Sequence, residues 1–211
     1  MNPVRLTTGS HNVLDVAQEA FERGELVVYP TDTLYALGGK ALDGHVAAAV
    51  RRAKGRPEDK PLPLIVANIE QLREIALHLP RGLRTLCERF WPGPLTLVLA
   101  AARAVPDEVT SGTGHVAVRI PALALARQLC ERAGPLIATS ANRSGEPAAS
   151  TCDEALRAMA SCVALAIDGG AATESRPSTV VDLTGDAPRL MRPGPVGWEA
   201  VLNALAEQHP R

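Results

Sequence analysis

The 211-residue sequence predicts an α/β protein, a single domain built on one large twisted mixed β-sheet with flanking helices. Short apolar runs alternate along the chain with segments of helical periodicity, which is the pattern of helices packed on a sheet. The last apolar runs lie too close together for crossover helices, so antiparallel neighbours and a mixed sheet are expected. A hydrophobic content of 46% over this length suits one sizeable core. We therefore expect one domain over 1–211, with its core in about 10–207.

The first elements lead to a polar turn. Apolar side chains at helical spacing predict a helix at 13–23, and the apolar run that follows predicts a buried strand at 26–30. Thr-Asp-Thr at 31–33 comes directly after this strand, where strand ends commonly present groups to ligands. Asp43 is a suitable N-cap for the next helix, at about 45–53.

The remaining elements continue the alternation. Short runs rich in aliphatic side chains predict strands at 62–66, 96–101, 115–120, 136–139, 163–168, 178–183 and 188–192. Helical spacing predicts helices at 69–77, 81–90, 122–133, 151–160 and about 197–208. Either Ser150 or Thr151 can cap the fourth of these helices.

Composition limits the function. Aromatic residues are only 3% of the chain, so ligand recognition cannot depend on a broad stacking surface for single-stranded nucleic acid. The four cysteines and five histidines are dispersed, without metal-ligand or redox spacing, so the cysteines are expected to be buried and no metal site is expected. No apolar run reaches membrane-spanning length, and no signal peptide is recognised. We expect a soluble, cytoplasmic protein with no membrane partner.

A cluster of basic residues is the local feature that favours an anionic ligand. The formal net charge is -1, which gives no overall attraction to a polyanion. Five basic side chains nevertheless lie close together in the sequence, at Arg51, Arg52, Lys54, Arg56 and Lys60. Taken alone, such a cluster is better explained as a solvated helix face that continues into a loop.

Arg119 stands inside a predicted strand of valine and isoleucine, and Arg192 ends the last predicted strand. A charge inside a buried strand is costly unless an anion meets it. Arg119 is therefore either half of a structural ion pair or a clamp for the carboxylate of a ligand. On the residues alone the ion pair is favoured.

Two pairs of polar residues share a spacing of two, Lys54 with Arg56 and Ser140 with Asn142. In an extended segment this spacing points both side chains to one face, so both pairs could converge on one nucleotide. Ser140 is also considered as a nucleophile, but no nucleophile elbow surrounds it and no histidine is placed as its base. The string SGTGH at 111–115 is a weak phosphate-loop signal, because it lacks the Lys-Ser/Thr ending.

Seven strings together resemble the Sua5/YrdC family, the threonylcarbamoyl-adenylate synthases, along nearly the whole chain. In the family's order they are YPTDTLYALG at 29–38, KGRPEDKPL at 54–62, FWPGPLTLVL at 90–99, VAVRIP at 116–121, TSANRSGEPA at 139–148, PSTVVDL at 177–183 and RPG at 192–194. The resemblance implies a YrdC-like fold in the family's short form, without the C-terminal Sua5 extension.

The resemblance implies an ATP-using nucleotidyltransferase. In this reaction the amine of L-threonine takes up bicarbonate, and the resulting carbamate attacks the α-phosphate of ATP to give L-threonylcarbamoyladenylate and pyrophosphate. The product would pass to the tRNA threonylcarbamoyl transferase proteins, for t6A modification at position 37 of tRNAs that read codons beginning with A. Mg²⁺ would arrive with ATP, and no organic cofactor is implied.

Matched position by position, the resemblance implies that Thr33, Arg119 and Ser140 contact threonine. The positions implied to contact the nucleotide are Lys54, Arg56, Lys60, His115, Asn142, Ser150, Ser178 and Arg192. Lys54 and Arg56 are the implied catalytic residues, because nucleotidyl transfer needs charge stabilisation more than a covalent nucleophile.

Three positions depart from the family's pattern. Ala36 replaces the usual glycine of the YGLG string, which is tolerable unless the backbone needs a positive φ. Ile65 lies near a position where some members carry histidine, so one threonine contact is expected to be apolar or moved. His115 stands where threonine often precedes VAVR.

Two other functions stay open on the sequence. One is a non-enzymatic RNA-binding protein of the same fold, in which the basic cluster at 51–60 gives weak RNA binding. The other is a paralogue that forms a different acyl or carbamoyl adenylate.

Overall fold

Eleven strands and eight α-helices alternate along the part of the chain that the computed structural model describes, residues 3–174 and 176–207. The strands are β1 (Val4–Thr7), β2 (Val27–Tyr29), β3 (Ala36–Gly38), β4 (Leu64–Ile65), β5 (Leu95–Ala100), β6 (His115–Arg119), β7 (Leu136–Ile137), β8 (Thr139–Ser140), β9 (Leu165–Asp168), β10 (Thr179–Asp182) and β11 (Arg189–Arg192). The helices are α1 (Val13–Glu22), α2 (Gly44–Lys54), α3 (Ile69–Ile75), α4 (Leu83–Phe90), α5 (Asp107–Thr110), α6 (Ala124–Ala133), α7 (Cys152–Met159) and α8 (Trp198–Ala206). The predicted α/β class is confirmed.

The strands form two mixed sheets, not the single large sheet that the sequence predicts. One sheet has the order β1-β9-β2-β3-β8, and the other has the order β11-β10-β5-β6-β4-β7. Both contain parallel and antiparallel neighbours: β9 is parallel to β2 and β10 is parallel to β5, whereas β3 is antiparallel to β2 and β6 to β5. Twist limits most open sheets to about ten strands, which favours division into two. Mixed pairing is confirmed, and the number of sheets is corrected.

The segment 136–140 crosses from one sheet to the other. Its first half, β7, pairs with β4, and its second half, β8, pairs with β3. Between them, the amide of Ala138 donates to the carbonyl of Pro63 at 2.8 Å. Gly38 lies against the crossing, where an added Cβ would be 1.6 Å from the carbonyl oxygen of Ile137. Only glycine allows the two backbones to approach so closely.

The helix starts follow the capping signals of the sequence. The side chain of Asp43 accepts from the amides of His45 and Val46 at 2.8 and 3.3 Å, as predicted. Of the two candidates for α7, Thr151 is the N-cap, and its hydroxyl accepts from the amide of Glu154 at 3.3 Å. The Glu154 carboxylate accepts in return from the amide of Thr151, which completes a capping box.

Three elements are absent from the sequence prediction. β1 is an edge strand with an exposed, mixed sequence, Val-Arg-Leu-Thr. β3 has only three residues and ends on glycine, and α5 has four. Such short or exposed elements show no clear hydrophobic periodicity, so a prediction from periodicity does not find them.

The core is mainly aliphatic, as the composition predicts, although Phe21, Tyr29 and Tyr35 are among its largest buried side chains. The hydroxyl of Tyr29 donates to the carbonyl of Ile137 at 2.6 Å, so even this aromatic residue supports the crossing segment. Three of the four cysteines are buried, whereas Cys162 is exposed, contrary to expectation. Within the two described ranges, no helix is both long and apolar enough to cross a membrane.

Candidate functional site

A cleft of about 650 Å³ is lined by residues of both sheets and lies along the crossing segment. Strands β3, β4, β6, β8 and β10 each contribute to its walls. The predicted site residues that line it are Thr33, Arg56, Arg119, Ser140, Asn142, Ser178 and Arg192. Positions far apart in the sequence are thus brought together, in a cavity of the size that small-molecule ligands occupy.

Arg119 lies in one wall of this cleft with only 6% of its surface exposed. Its Nη1 donates to both carboxylate oxygens of Asp32 at 2.9 Å. Its Nη2 donates to the hydroxyls of Thr31 at 3.1 Å and Thr33 at 3.0 Å. A buried guanidinium needs such partners, and the predicted ion pair is therefore present. Its use as a carboxylate clamp stays a prediction.

Thr31 and Asp32 belong to the polar turn that the sequence predicts as a ligand-facing segment, but only Thr33 of that turn was given a role of its own. The hydroxyl of Thr31 donates to the carbonyl of Leu34 at 2.7 Å and accepts from the amides of Thr33 and Leu34 at 3.2 and 3.3 Å. Thr31 therefore fixes the turn, and Asp32 supplies the counter-charge of Arg119. The sequence feature that points to both residues is the occurrence of three consecutive polar residues in the turn after a buried strand.

Ser140 lines the cleft from β8. Within the described residues its hydroxyl has no protein hydrogen-bond partner. No histidine, the usual base for a serine nucleophile, occurs among the described residues that line the cleft. The hydroxyl is therefore available to a ligand, and nothing here favours the nucleophile interpretation.

Lys54 does not share a face with Arg56, contrary to the spacing argument. Lys54 is the last residue of α2, and Gly55 turns the chain with a left-handed φ of 59°. The ammonium of Lys54 is buried and donates to the carbonyls of Ser140 and Asn142 and to Oδ1 of Asn142, the last at 3.3 Å. Burial, with the nearby charge of Arg56, lowers its pKa to about 8. Its donors thus go to the protein, and it is not among the residues that line the cleft.

Asn142 shapes the loop that follows β8. Its Nδ2 donates to the carbonyls of Arg143 at 2.9 Å and Glu146 at 2.7 Å, and its own amide donates to the carbonyl of Ser140 at 2.9 Å. This tight turn means that Ser140 and Asn142 are not two neighbours on one extended face. Asn142 lines the cleft, but its amide group is occupied by the loop.

Arg56 reaches the cleft from the loop after α2. Its Nε donates to the carbonyl of Lys60 at 3.2 Å, and its Nη2 donates to the carbonyl of Pro61 at 2.8 Å. Burial and the charge of Arg51 lower the pKa of Arg56, so an anion would be a favourable neighbour.

Arg192 reaches the cleft from β11, at the edge of the six-stranded sheet. Its Nε and Nη2 donate to the carbonyl of Ser178 at 3.0 and 2.9 Å, and the hydroxyl of Ser178 is 2.7 Å from that of Thr96. Partial burial and the charge of Arg119 lower the pKa of Arg192. Three arginines therefore meet in one cavity.

The cleft has an excess of positive charge. Glu146 is the one carboxylate among the described residues that line it, against Arg56, Arg119 and Arg192. Asp32 neutralises part of this charge through Arg119. An anionic ligand is expected on electrostatic grounds.

Lys60, His115 and Ser150 do not line the cleft, although the resemblance implies that they contact the nucleotide. Lys60 is exposed, and His115 lies on β6, paired with Ala100 of β5. Ser150 lines a second cavity of about 510 Å³, which shares Asn142 and the segment 146–148 with the cleft as a common wall. These three contacts stay predictions.

Two departures from the family's pattern are explained by the fold. Ala36 lies within β3 and does not need a positive φ, since Ser111 is the one non-glycine residue with positive φ in the described ranges. Ile65 is buried and lines the cleft, so the wall is apolar there.

The basic cluster at 51–60 does not form one surface. Arg51 donates to neighbouring loops, Lys54 is buried, Arg56 faces the cleft and Arg52 lines a separate open groove. Binding to a polyanion needs cations gathered on one face. The RNA-binding alternative therefore loses its main support.

Comparison with known proteins identifies the family. The family model for Sua5, YciO and YrdC, described as "Telomere recombination", matches residues 19–194. The chain belongs to the Sua5/YciO/YrdC family. It is 40% identical over 193 residues to the "Threonylcarbamoyl-AMP synthase" of Pyrococcus abyssi (strain GE5 / Orsay), which is 91% of this chain and 57% of that protein. It is 36% identical over 204 residues to the "Threonylcarbamoyl-AMP synthase" of Bacillus subtilis (strain 168), which is 95% of this chain and 59% of that protein.

A solved structure of this family has the same fold. The crystal structure of P. abyssi Sua5 complexed with L-threonine matches with a TM-score of 0.92 at 37% identity, over 98% of this chain and 62% of that one. The chain thus spans less than two thirds of the length of the P. abyssi and B. subtilis proteins that it matches here. The resemblance seen in the sequence is confirmed.

Proposed function

We propose that this chain is an L-threonylcarbamoyladenylate synthase, a nucleotidyltransferase that uses L-threonine, bicarbonate and ATP and releases pyrophosphate. One observation carries the proposal: the cleft joins the Arg119 group, with Thr33 and Ser140, to Arg56 and Arg192 in a single cavity. The names of the P. abyssi and B. subtilis relatives and the L-threonine complex of Sua5 support it.

Threonine binds at the Arg119 end of the cleft. Its carboxylate accepts from the guanidinium, whose orientation is already fixed by Asp32 and Thr31. The hydroxyl of Thr33, which accepts from Arg119, and that of Ser140, which lines the same cavity, supply further hydrogen bonds to the amino acid. Ile65 gives an apolar surface there, suited to the methyl group of threonine.

The reaction is the one that the family resemblance implies, and these positions are compatible with it. The amine nitrogen of threonine bonds to the carbon of bicarbonate, with loss of water, and an oxygen of the resulting carbamate attacks the α-phosphorus of ATP. The bond from the α-phosphorus to the bridging oxygen breaks, and that oxygen leaves with pyrophosphate. The carbamate is already an anion, so the second step needs no general base. The contribution of the protein is to align the reactants and to stabilise phosphate charge.

Arg56 and Arg192 bind the phosphates, since their guanidinium groups line the cleft and neither forms an ion pair with the described carboxylates. Lys54 and Asn142 act indirectly by shaping the 140–146 loop. Mg²⁺ would come with ATP and would be held mainly by phosphate oxygens and water, which fits a cleft in which Glu146 is the one carboxylate among the described lining residues. The product passes to the tRNA threonylcarbamoyl transferase proteins in the cytoplasm for t6A formation.

Pyrophosphate release is the direct test of this function. The purified chain, given ATP, Mg²⁺, L-threonine and bicarbonate, should release pyrophosphate and form an adenylate with the mass of threonylcarbamoyl-AMP. Omission of threonine or bicarbonate should stop the release. No pyrophosphate with all the substrates present would refute the proposal, and release with another amino acid in place of threonine would indicate the paralogue.

Arg56→Ala tests the phosphate end of the cleft. We expect this variant to lose at least about 100-fold in kcat/KM, as for other residues that stabilise transferred charge. Arg52→Ala is the matched control, because Arg52 is an exposed residue of the same basic cluster and does not line the cleft. Near-normal activity of Arg56→Ala with unchanged circular dichroism would show that Arg56 is not a phosphate ligand.

A further inference from the structure

Arg51 connects two loops that the site described above does not explain. Its Nε donates to the carbonyl of Glu108 at 2.9 Å, its Nη1 donates to the carbonyl of Pro57 at 2.8 Å, and its Nη2 donates to Oγ of Ser111 at 2.6 Å. One side chain at the end of α2 therefore holds three points on two segments.

The first segment is the loop that carries Arg56. Its start is tied to Arg51 again through the backbone, because the amide of Arg56 donates to the carbonyl of Arg51 at 3.0 Å. Its end is tied to the second segment, since the amide of Leu62 donates to the carbonyl of Val109 at 2.8 Å. The position of Arg56 relative to the cleft thus depends on how this loop is fixed.

The second segment contains α5 and the glycine-containing string at 111–114. Ser111 has a φ of 56°, which is unfavourable for a residue with a side chain. The bond from Arg51 to its hydroxyl supports this conformation. The string leads directly into β6, the strand that carries Arg119.

Arg51 is held by hydrogen bonds to neutral acceptors and not by an ion pair. None of its three acceptors is a carboxylate, and it takes part in no ion pair between described residues. A guanidinium directs fixed donors to separate acceptors, whereas the single ammonium of lysine cannot reach all three at once. The shape of the side chain therefore matters more than its charge.

We infer that Arg51 is a positioning residue, which ties the Arg56 loop (55–62) to segment 108–114 and so fixes Arg56 for contact with the nucleotide phosphates. This inference rests on the proposed function. Misplacement of a phosphate ligand by even about 1 Å is costly for a transfer reaction. Although segment 108–114 leads into β6, Arg119 at the threonine end is held by its own hydrogen bonds to Asp32, Thr31 and Thr33, so a smaller effect is expected there.

Kinetics test the effect on the substrate. Arg51→Lys retains the positive charge and removes the guanidinium with its several donors. We expect it to raise the KM for ATP by about 10-fold while the KM for threonine changes by less than about twofold. Arg52→Lys is the matched control on the next residue of the helix, which is exposed, and should behave as the wild type. Equal KM values for ATP in Arg51→Lys and the wild type would overturn the inference.

Hydrogen exchange of the substrate-free protein tests the tie itself. In Arg51→Lys, amides of 55–62 and 108–114 should exchange faster, while amides of the distant helix α8 keep their wild-type rates. Unchanged exchange in both segments would refute the tie, and faster exchange throughout the chain would reduce Arg51 to a general stabilising role. This measurement needs no turnover, so it decides whether Arg51 ties the two segments even if the wild type releases no pyrophosphate and the proposed function fails.

Discussion

The buried ammonium of Lys54 allows a prediction about stability and pH. Only 3% of this residue is exposed, and its hydrogen-bond acceptors are oxygens of Ser140 and Asn142, with no carboxylate of the described residues in direct contact. Burial is the main cause that lowers its pKa from 10.5 to about 8, and the charge of Arg56 adds to the effect, while that of Glu146 opposes it. The charged form is therefore less favourable in the folded chain than in the unfolded chain.

The sign and size of the effect follow from proton linkage. Between pH 8 and 10.5 the unfolded chain holds more protons at Lys54 than the folded chain, so folding stability rises with pH in this window. The full change, from a pKa of 10.5 to about 8, corresponds to about 3 kcal/mol at 1.36 kcal/mol for each pH unit. The part expressed between pH 7 and pH 9 is about 1 kcal/mol. A neutral amine still has two N–H groups, enough for the two loop carbonyls.

Urea unfolding measures this contribution. The free energy of unfolding is determined at several values between pH 7 and pH 9 for the wild type and for Lys54→Met. The difference between them cancels the other titrating groups, and the wild type should gain about 1 kcal/mol on the variant over this range. Arg52→Met, which removes an exposed charge from the same helix, should show a pH-independent difference from the wild type. A constant difference for Lys54→Met would refute the assignment of a low pKa to the buried amine.

Two other substitutions test the junction of the sheets and the Arg119 group. Gly38→Ala places a Cβ 1.6 Å from the carbonyl oxygen of Ile137 and should lower the free energy of unfolding by about 3 kcal/mol or more, measured by urea unfolding. Gly185→Ala, whose Cβ would meet nothing closer than 3.9 Å, should be near neutral, and equal costs for both would contradict this account. Asp32→Asn removes the counter-charge of Arg119 and should cost about 3 kcal/mol. L-threonine should then raise the melting temperature of Asp32→Asn more than that of the wild type, because its carboxylate replaces the lost charge, and equal shifts would argue against carboxylate binding at Arg119.

Sequence patterns were sufficient to locate an element where one physical effect dominates. Apolar runs located strands such as β5 and β6, which are buried between neighbours, and Asp43 located a helix start through a local hydrogen bond. The patterns did not predict β1, which is an exposed edge strand. They also did not predict the division into two sheets, which involves the close approach of the Gly38 backbone to Ile137, a residue far away in the sequence. Periodicity reports which face of an element is buried, and it contains no information on which elements meet.

The candidate site shows the same limit at the level of single residues. The family strings located seven residues that do line one cleft, although spacing could not assign their directions. A spacing of two gives a common face only in an extended chain, and Lys54 ends a helix before a left-handed glycine. The ammonium consequently points at the backbone of the 140–142 segment, and no local pattern in the sequence indicates a contact 86 residues away.

Arg119 shows why the choice between a structural ion pair and a ligand clamp is not exclusive. A buried guanidinium without a counter-charge would be too costly to keep in an empty cleft, so the pair with Asp32 is a condition for placing the cation there at all. Nη1 is taken by this pair, whereas Nη2 bonds only to the hydroxyls of Thr31 and Thr33 among the described residues. The hydroxyl of Thr33 is a neutral acceptor that can rotate or exchange its partner at small cost, unlike a carboxylate. Asp32 therefore neutralises Arg119 on one side of the guanidinium, and only neutral groups contact it on the side of Thr33. Because Thr33 lines the cleft, this second side is where the carboxylate of a ligand forms its most favourable contact with Arg119.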